Sequence, residues 1–539
     1  MHPHQPHHPR SPHAGAVSVV VIGYEDADHV ADAVRSALAQ GPAVREVVAV
    51  DDCSADGTPE LLGRLAAADS RVRMIRRETN SGGCGTPRND GIDAVTSPYV
   101  MFLDSDDVLP PGAVDALLGA AERERAEVAA GLCVRRELPS GHDVPWQEEL
   151  YARAAVVGQS VRLRELVHDT LCVNKLYRVD FLREHAIRFP EGRFPYEDIV
   201  FSARLLAAEP RMALVPDRVY VWHVRRSAER LSISLDRAHV DNWRARTAAN
   251  RQAYEILLGA GRKELARAAR AKFLDHELRM YARELALRDA EYRSAWWAHT
   301  REFLGEYDAS DWAVNPTAPG TLLARVILAS PRPRDLSRLR ELAARPARLC
   351  PPYARGGDGA PVWAEDLPEV ALEPYASSAA HLLPLAVDAV LRPRAGASVL
   401  RLRLHEMYGR VAEAGPRTLE AEWRHREGAR PARRITVPLT PDADGGWSAT
   451  TPVKLAALGA GVWDLWLRVR FADGTVRETT ARAHPGAGPL RRTAVPSLRS
   501  GVLLAQPYAT HSSALALRLA TGASGAVSVL RGRMRRLLR

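Results

Sequence analysis

The sequence predicts an α/β protein: a mostly parallel sheet covered by helices, then a helical stretch, then an antiparallel β-sandwich. Two patterns carry this. From residue 16 to about 136, short apolar runs alternate with segments of helical periodicity across short connections, as in repeated strand–helix–strand units. After about residue 390 the period changes to two, and turns such as "DADGG" and "ADGT" separate the runs.

The elements follow in order. "AVSVVVIGY" is a continuous apolar strand, the kind covered on both faces. In "DADHVADAVRSALAQG", Val30, Ala33, Val34, Ala37 and Leu38 recur at helical spacing, and Gly41 with Pro42 stops the helix. "REVVAVDD" is the second strand, "DGTPELLGRLAAAD" the second helix and "RVRMIRR" the third strand. A glycine-rich turn leads to "PRNDGIDAV", followed by the strand "PYVMFLD", a helix over about 111–125 and the strand "EVAAGLCVRR". Residues 239–305 are rich in Ala, Arg, Leu and Glu without proline and read as helical, and 344–361 reads as a linker. "SVLRLRLHEM", "RTLEAEWRH", "GVWDLWLRVRF" and "TVRETTARAH" alternate as sandwich strands. The expected organisation is a His/Pro tail (1–15), an α/β domain (16–238), a helical region (239–350), a β-sandwich (365–525) and a basic tail (526–539).

Composition bounds the function. The 539 residues carry a net charge of +9, 46% hydrophobic and 26% charged residues, which describes a globular chain with an affinity for anionic partners. The basic residues are nearly all arginine, without interleaved stacking aromatics, so nucleic acid is not an expected partner. Five cysteines lack CxxC or zinc spacing and read as reduced thiols of a cytoplasmic protein. No apolar run is long enough to span a bilayer. The basic tail reads first as solvated and second as a peripheral contact with an anionic membrane surface.

Four acidic or glycine-rich stretches could carry chemistry. "VDDCSADGT" puts Asp51 and Asp52 at a strand's carboxyl end, the place where ligands sit in such sheets. Ser54 or Asp56 reads as a helix cap, which leaves the adjacent carboxylate pair unexplained. "NSGGCGTPRNDG" feeds a helix from a glycine turn, with Arg88 on the first turn. Because Arg88 occupies the third glycine place of a dinucleotide fingerprint, the stretch reads as an anion site and not a nicotinamide site. "FLDSDDVLPP" brings Asp104, Asp106 and Asp107 to one strand end, and the Asp-Ser-Asp spacing suits a hard divalent cation. "FPYEDIVFSARLLAAE" opens a helix on Glu197 and Asp198, placed either for the helix dipole or to take a proton from a hydroxyl.

Taken in this order, "SVVVIGYED", "VVAVDDCSADGT", "NSGGCGTPRNDGI", "PYVMFLDSDDVLPPGAV", "VNKLYRVDFL" and "FPYEDIVFS" resemble the family 2 glycosyltransferases of the GT-A fold over about residues 16–235. The layout of catalytic domain, helical linker and β-sandwich is similar to that of the bacterial wall teichoic acid glycosyltransferases. The resemblance implies an inverting transfer from a nucleotide-sugar, a UDP-sugar in the first instance, to a hydroxyl of an anionic glycopolymer or other glycan acceptor. It implies that Asp52 binds the uracil with Tyr24 and Asp51 nearby, and that Asn80 and Arg88 hold the nucleotide side of the donor. Asp106 would ligate Mg²⁺ or Mn²⁺, with Asp104 beside it reaching the ribose or sugar. Asp198 would be the base, with Glu197 on the donor sugar or orienting the acceptor. Arg225 or Arg226, with Ser232, would bind diphosphate or acceptor phosphate. It also suggests self-association through the carboxyl-terminal domain. Ile22, Glu25, Cys53 and His223 depart from the family's usual residues. The competing reading is a catalytically degenerate scaffold that binds a cell-envelope polymer, against which stand the retained Asp104/Asp106 and Glu197/Asp198 pairs.

Overall fold

The structure is a computed structural model that describes residues 16–158, 161–225, 237–394, 397–428, 430–483, 493–497 and 501–521. The His/Pro tail, Arg226, Ser232 and the basic tail lie outside the described residues. The chain divides into two compact units, Met1–Lys272 and Phe273–Arg539. The stretch of helical composition contributes to both, since Val240–Gly259 and Lys263–Lys272 belong to the first and Arg279–Leu285 and Ala290–Leu304 to the second.

The first unit is built on a nine-stranded sheet in the order β3-β2-β1-β4-β8-β5-β9-β7, with β6 paired to β5. Its strands are β1 (Val17–Gly23), β2 (Val44–Asp51), β3 (Val72–Arg76), β4 (Tyr99–Asp104), β5 (Val128–Leu138), β6 (His142–Trp146), β7 (Ala155–Val157), β8 (Lys175–Arg178) and β9 (Met212–Arg225). The first four are parallel neighbours, joined by the helices α1 (Val30–Leu38), α2 (Thr58–Ala68) and α3 (Gly85–Ala94). Beyond β4 the pairing is mixed: β8 is antiparallel to β4 and to β5, and β9 is parallel to β5. Every residue of β1 is buried, as a strand covered on both faces requires.

Register decides where the carboxylates emerge. Gly23 lies opposite Asp51 and Ile22 opposite Asp104, so three neighbouring parallel strands end together. The chain leaves β1 toward β2 and β3, then returns to β4 on the other side. The crevice beyond the carboxyl ends at this reversal is the natural ligand position. Under it, Phe102 of β4, Tyr177 of β8, Phe189 and Phe201 form an aromatic floor, with Phe189 and Phe201 stacked at 3.9 Å between centroids. Phe201 belongs to α6 (Glu197–Ala207), which follows α4 (Ala113–Glu124) and α5 (Val179–Glu184) along the chain and whose buried face also includes Ile199, Val200, Leu205 and Leu206. The floor holds the amino terminus of α6 against the sheet.

The second unit joins helices to a two-stranded ladder of Ala354–Arg355 with Pro361–Val362 and to two larger, mainly antiparallel sheets. Strands including Val387–Arg392, Ser398–Leu404 and Trp447–Val453 form one, and strands including Pro416–His425, Gly461–Phe471, Gly501–Ala509 and Leu515–Thr521 the other. Burial alternates along Ser398–Leu404 and Gly461–Phe471, the period the sequence predicts. Within this unit the fully buried Arg348–Glu341 pair, 2.6 Å apart, also reaches the Thr480 hydroxyl and the Ser512 carbonyl.

Helix α3 depends on Gly91, where a Cβ would overlap both methyl groups of Val20 on β1. Gly91→Ala is therefore expected to lower stability by about 1–3 kcal/mol, read as a lower urea midpoint at unchanged slope. Gly119, helical and with open space around it, is the control. Its change to Ala is expected to raise stability by about 0.4–1 kcal/mol.

Candidate active site

The site is organised by one cation. Arg88, on the first turn of α3, is 2% exposed and donates from Nη2 to Asp104 Oδ1 at 2.6 Å. Its Nη1 donates to Glu197 Oε1 at 2.6 Å and to Asp198 Oδ1 at 3.3 Å. Strand β4 and the amino terminus of α6 are thus joined through a single guanidinium, which also stands over the Phe189 ring at 5.3 Å. The approach of α3 needs Gly85, since a Cβ there would overlap the Pro190 carbonyl.

Burial sets the electrostatics. Desolvation, then the charge of Asp198, pushes the Glu197 carboxyl up to about 7 against the pull of Arg88. Asp198 is raised by desolvation too, while Arg88 and the backbone and thiol of Cys172 draw it back. Of the pair, Asp198 is the more open to solvent, 24% against 11%. That combination gives a carboxylate with raised basicity, reachable from the crevice.

The Asp-Ser-Asp loop is held from two sides. Tyr220 of β9 donates its hydroxyl to Asp107 Oδ2 at 2.7 Å and accepts from the Asp104 N–H at 3.2 Å. The His223 N–H donates to Asp107 Oδ1 at 2.8 Å. Buried Asp107 is driven well above the ordinary range by desolvation and by its acidic neighbours, so it anchors the loop and does not face the crevice. On the other side Ser105 donates to Asp26 Oδ2 at 2.7 Å, and Asp26 Oδ1 lies 2.5 Å from His29 Nδ1. Asp106 is half exposed and lies 3.1 Å from Arg225 Nη1. Desolvation of its carboxyl within the loop, then the charge of Asp104, pushes it up to about 6.

At the end of β2, Asp52 accepts from the Ser81 N–H and hydroxyl and from Asn80 Nδ2, with Arg77 Nε at 3.0 Å. Asp51 is fully buried, accepts from the Ser54 N–H at 3.2 Å and lies 3.5 Å from Arg76 Nε. Its Oδ1 has no hydrogen-bond partner among the described residues. Cys53 adopts a left-handed φ of 65°, a conformation that favours glycine, and its thiol donates to the Glu78 carbonyl. Tyr24, 37% exposed, follows β1 at the same crevice edge.

Of the residues singled out from sequence, Arg88, Asp104, Glu197 and Asp198 meet directly, and Arg225 meets Asp106. Asn80 meets Asp52, while Asp51 joins the others only through strand register. Sequence reasoning missed Asp26, Tyr220, Cys172, Asp169 and Lys175. Lys175 Nζ and Asp169 Oδ2 form a buried pair at 2.8 Å, and Lys175 also donates to the Leu171 carbonyl at 2.5 Å, which orders the loop that brings Cys172 to Asp198. Nothing in an isolated "NKLYR" signals that role.

A divalent cation fits this donor set in one respect. Among the described residues no three His, Cys, Asp or Glu side chains converge as a metal cage. Asp104 and Asp106 each have one oxygen on an arginine, and their second oxygens have no protein partner among the described residues. That suits an ion that completes its shell with water and phosphate oxygens.

Residues 18–186 match the family model described as glycosyl transferase family 2. The matched residues lie wholly within the first unit. Among curated proteins the chain is 33% identical to the succinoglycan biosynthesis protein ExoO of Rhizobium meliloti, over 42% of this chain and 65% of that one. It is 27% identical to the poly(ribitol-phosphate) beta-N-acetylglucosaminyltransferase TarS of Staphylococcus aureus, over 40% of this chain and 36% of that one. The aligned stretch therefore spans just under two thirds of one relative and about a third of the other. Among solved structures, S. aureus TarS superposes with a TM-score of 0.51 at 18% identity, covering 94% of this chain and 85% of that one. Its fragment 1–349 in complex with UDP-GlcNAc reaches 0.51 at 21% identity, over 64% of this chain and 96% of the fragment. At these identities the likeness establishes the fold: a GT-A domain followed by antiparallel sheets.

Replacing Arg88 by Met leaves three carboxylates around an apolar side chain. The expected loss of stability is about 3–5 kcal/mol at pH 8. It should shrink as pH falls to 5, because the raised carboxyls bind protons and no longer need a counter-charge. Chemical denaturation of both proteins at the two pH values checks this.

Proposed function

We propose that this protein is an inverting glycosyltransferase that moves a sugar from a nucleotide-sugar, with UDP the first candidate, to a hydroxyl of a cell-envelope glycopolymer. The observation that carries it is the meeting of Asp104, Glu197 and Asp198 on Arg88 at the carboxyl ends of parallel strands. A cytoplasmic site of action, peripheral to the inner membrane face, belongs to the same proposal. What supports a cell-envelope polymer as acceptor is the similarity to the succinoglycan biosynthesis protein ExoO and to TarS.

In this reading Asp52 and Tyr24 receive the base, and Asp52 is pre-set for it by Asn80, Ser81 and Arg77. Asp104 and Asp106 would hold Mg²⁺ or Mn²⁺, and such an ion, when bound, offsets charge on a diphosphate leaving group. Arg88 keeps Asp104, Glu197 and Asp198 in fixed relation and lets Glu197 face the donor sugar. Asp198 accepts the proton of the acceptor hydroxyl as its oxygen bonds to the anomeric carbon from the face opposite the nucleotide. The bond to the diphosphate breaks with its electron pair leaving on the nucleotide. No cysteine takes part. Arg225, on Asp106, sits where it can meet phosphate oxygens.

Three outcomes are expected. Asp198→Asn lowers kcat by at least about 100-fold with donor binding retained, measured by nucleotide release and by thermal shift with UDP; turnover at the wild-type rate would remove the base assignment. Excess EDTA abolishes release and Mn²⁺ restores it, and Asp106→Asn weakens the Mn²⁺ response. The pH profile of kcat has an acid limb above the ordinary carboxylate range, because Asp198 acts as carboxylate and is lost as pH falls through its raised pKa. In Glu197→Gln the limb moves to lower pH, since a negative neighbour no longer favours the protonated form.

A further inference from the structure

We propose that Trp146 and Trp222 form the acceptor subsite and select a cyclic saccharide unit over an acyclic polyol phosphate, an inference that rests on the glycosyltransferase reading above. Both indoles are half-buried and packed edge to face, 6.4 Å between centroids at 71°. Both are also fixed. Trp146 Nε1 donates to Asp169 Oδ1 at 3.1 Å, and the Arg135 guanidinium stands over Trp222 at 5.7 Å with Glu137 at 3.7 Å to balance its charge.

Their position follows from register. Tyr220 and Trp222 are two residues apart on β9 and so share a face. The Tyr220 hydroxyl meets the Asp104 N–H and Asp107, so this face underlies the carboxylate loop. Cys133 of β5 is in register with Tyr220 on one side and with Trp146 of β6 on the other. Trp146 is linked to the other half of the site as well: Asp169 starts the loop whose Cys172 lies against Asp198. Across the sheet, the nucleotide-side carboxylates end β2, Asp104 ends β4, and the tryptophans stand beyond them on β6 and β9. This is the flank left for the acceptor once a donor lies from β2 to β4.

The chemistry of the pair names the ligand. A rigid indole presents a flat apolar face with a polar edge. A pyranose ring has a matching face of C–H groups and hydroxyls around its rim, whereas an extended polyol has no such face. Apolar aromatic walls with a few polar groups are the usual lining of sites that orient small ligands.

Saturation-transfer NMR of the full chain with methyl β-D-glucopyranoside and with ribitol 5-phosphate tests the proposal. The expected result is saturation of the glucoside ring protons, at least fivefold weaker in Trp222→Leu and in Trp146→Leu and restored to more than half in Trp222→Phe. Melting curves establish that the variants are folded, and the wild-type comparison of the two compounds decides selectivity without any variant. Absent saturation of the glucoside, stronger saturation of ribitol 5-phosphate, or unchanged signal in both folded Leu variants would overturn it. The thermal shift of the wild type with UDP reads the donor site separately. A lost shift with the glucoside result intact would remove the transferase reading and leave the saccharide subsite standing.

Discussion

A buried guanidinium shared by three carboxylates is the constraint on which the site depends. Arg88 comes from a helix, Asp104 from a strand end, and Glu197 and Asp198 from a helix more than a hundred residues beyond Arg88. Without the cation, Glu197 and Asp198 would be driven further toward protonation by desolvation and by the charge of their acidic neighbours. With one cation among them, two acidic segments can share a small space and still present a basic oxygen. Arg suits this role because its planar fork reaches two partners at once and stays charged.

The surroundings make the interaction strong. Aromatic rings below the crevice keep water from the guanidinium, which concentrates the effect of each charge. The same floor pins the amino terminus of α6, so packing and electrostatics have one structural cause. Asp107 with Tyr220 and His223 on one side, and Asp26 with Ser105 on the other, hold the acidic loop so that Asp106 stays outward and half exposed. Fixing these side chains before a ligand arrives removes reorganisation from the chemical step.

The family model matches residues 18–186 of the first unit and the two curated relatives align over 40% and 42% of the chain, while the structural likeness to TarS covers 94% of it. Packing constraints on a β-sheet domain are met by alternation alone and tolerate wide change of residue. A site that must place several charged groups within hydrogen-bond reach tolerates far less.

Much was legible in the sequence because it is written in local pattern. Buried parallel strands show as continuous apolar runs, helices as a 3.6-residue period and the later sheets as a period of two, so the fold class follows from short-range physics. Strand-end aspartates and the helix-opening Glu197 and Asp198 could be singled out for the same reason. What the local pattern could not contain is partnership: Arg88 reads as an anion ligand beside its glycine turn, and only the fold turns it inward onto carboxylates. Asp26, Tyr220, Lys175 and the two tryptophans carry no local signal, because their roles arise from strand order and register. Residue type and period are properties of neighbours along the chain, whereas which charges and rings end up facing one another is settled only when distant segments are brought into contact.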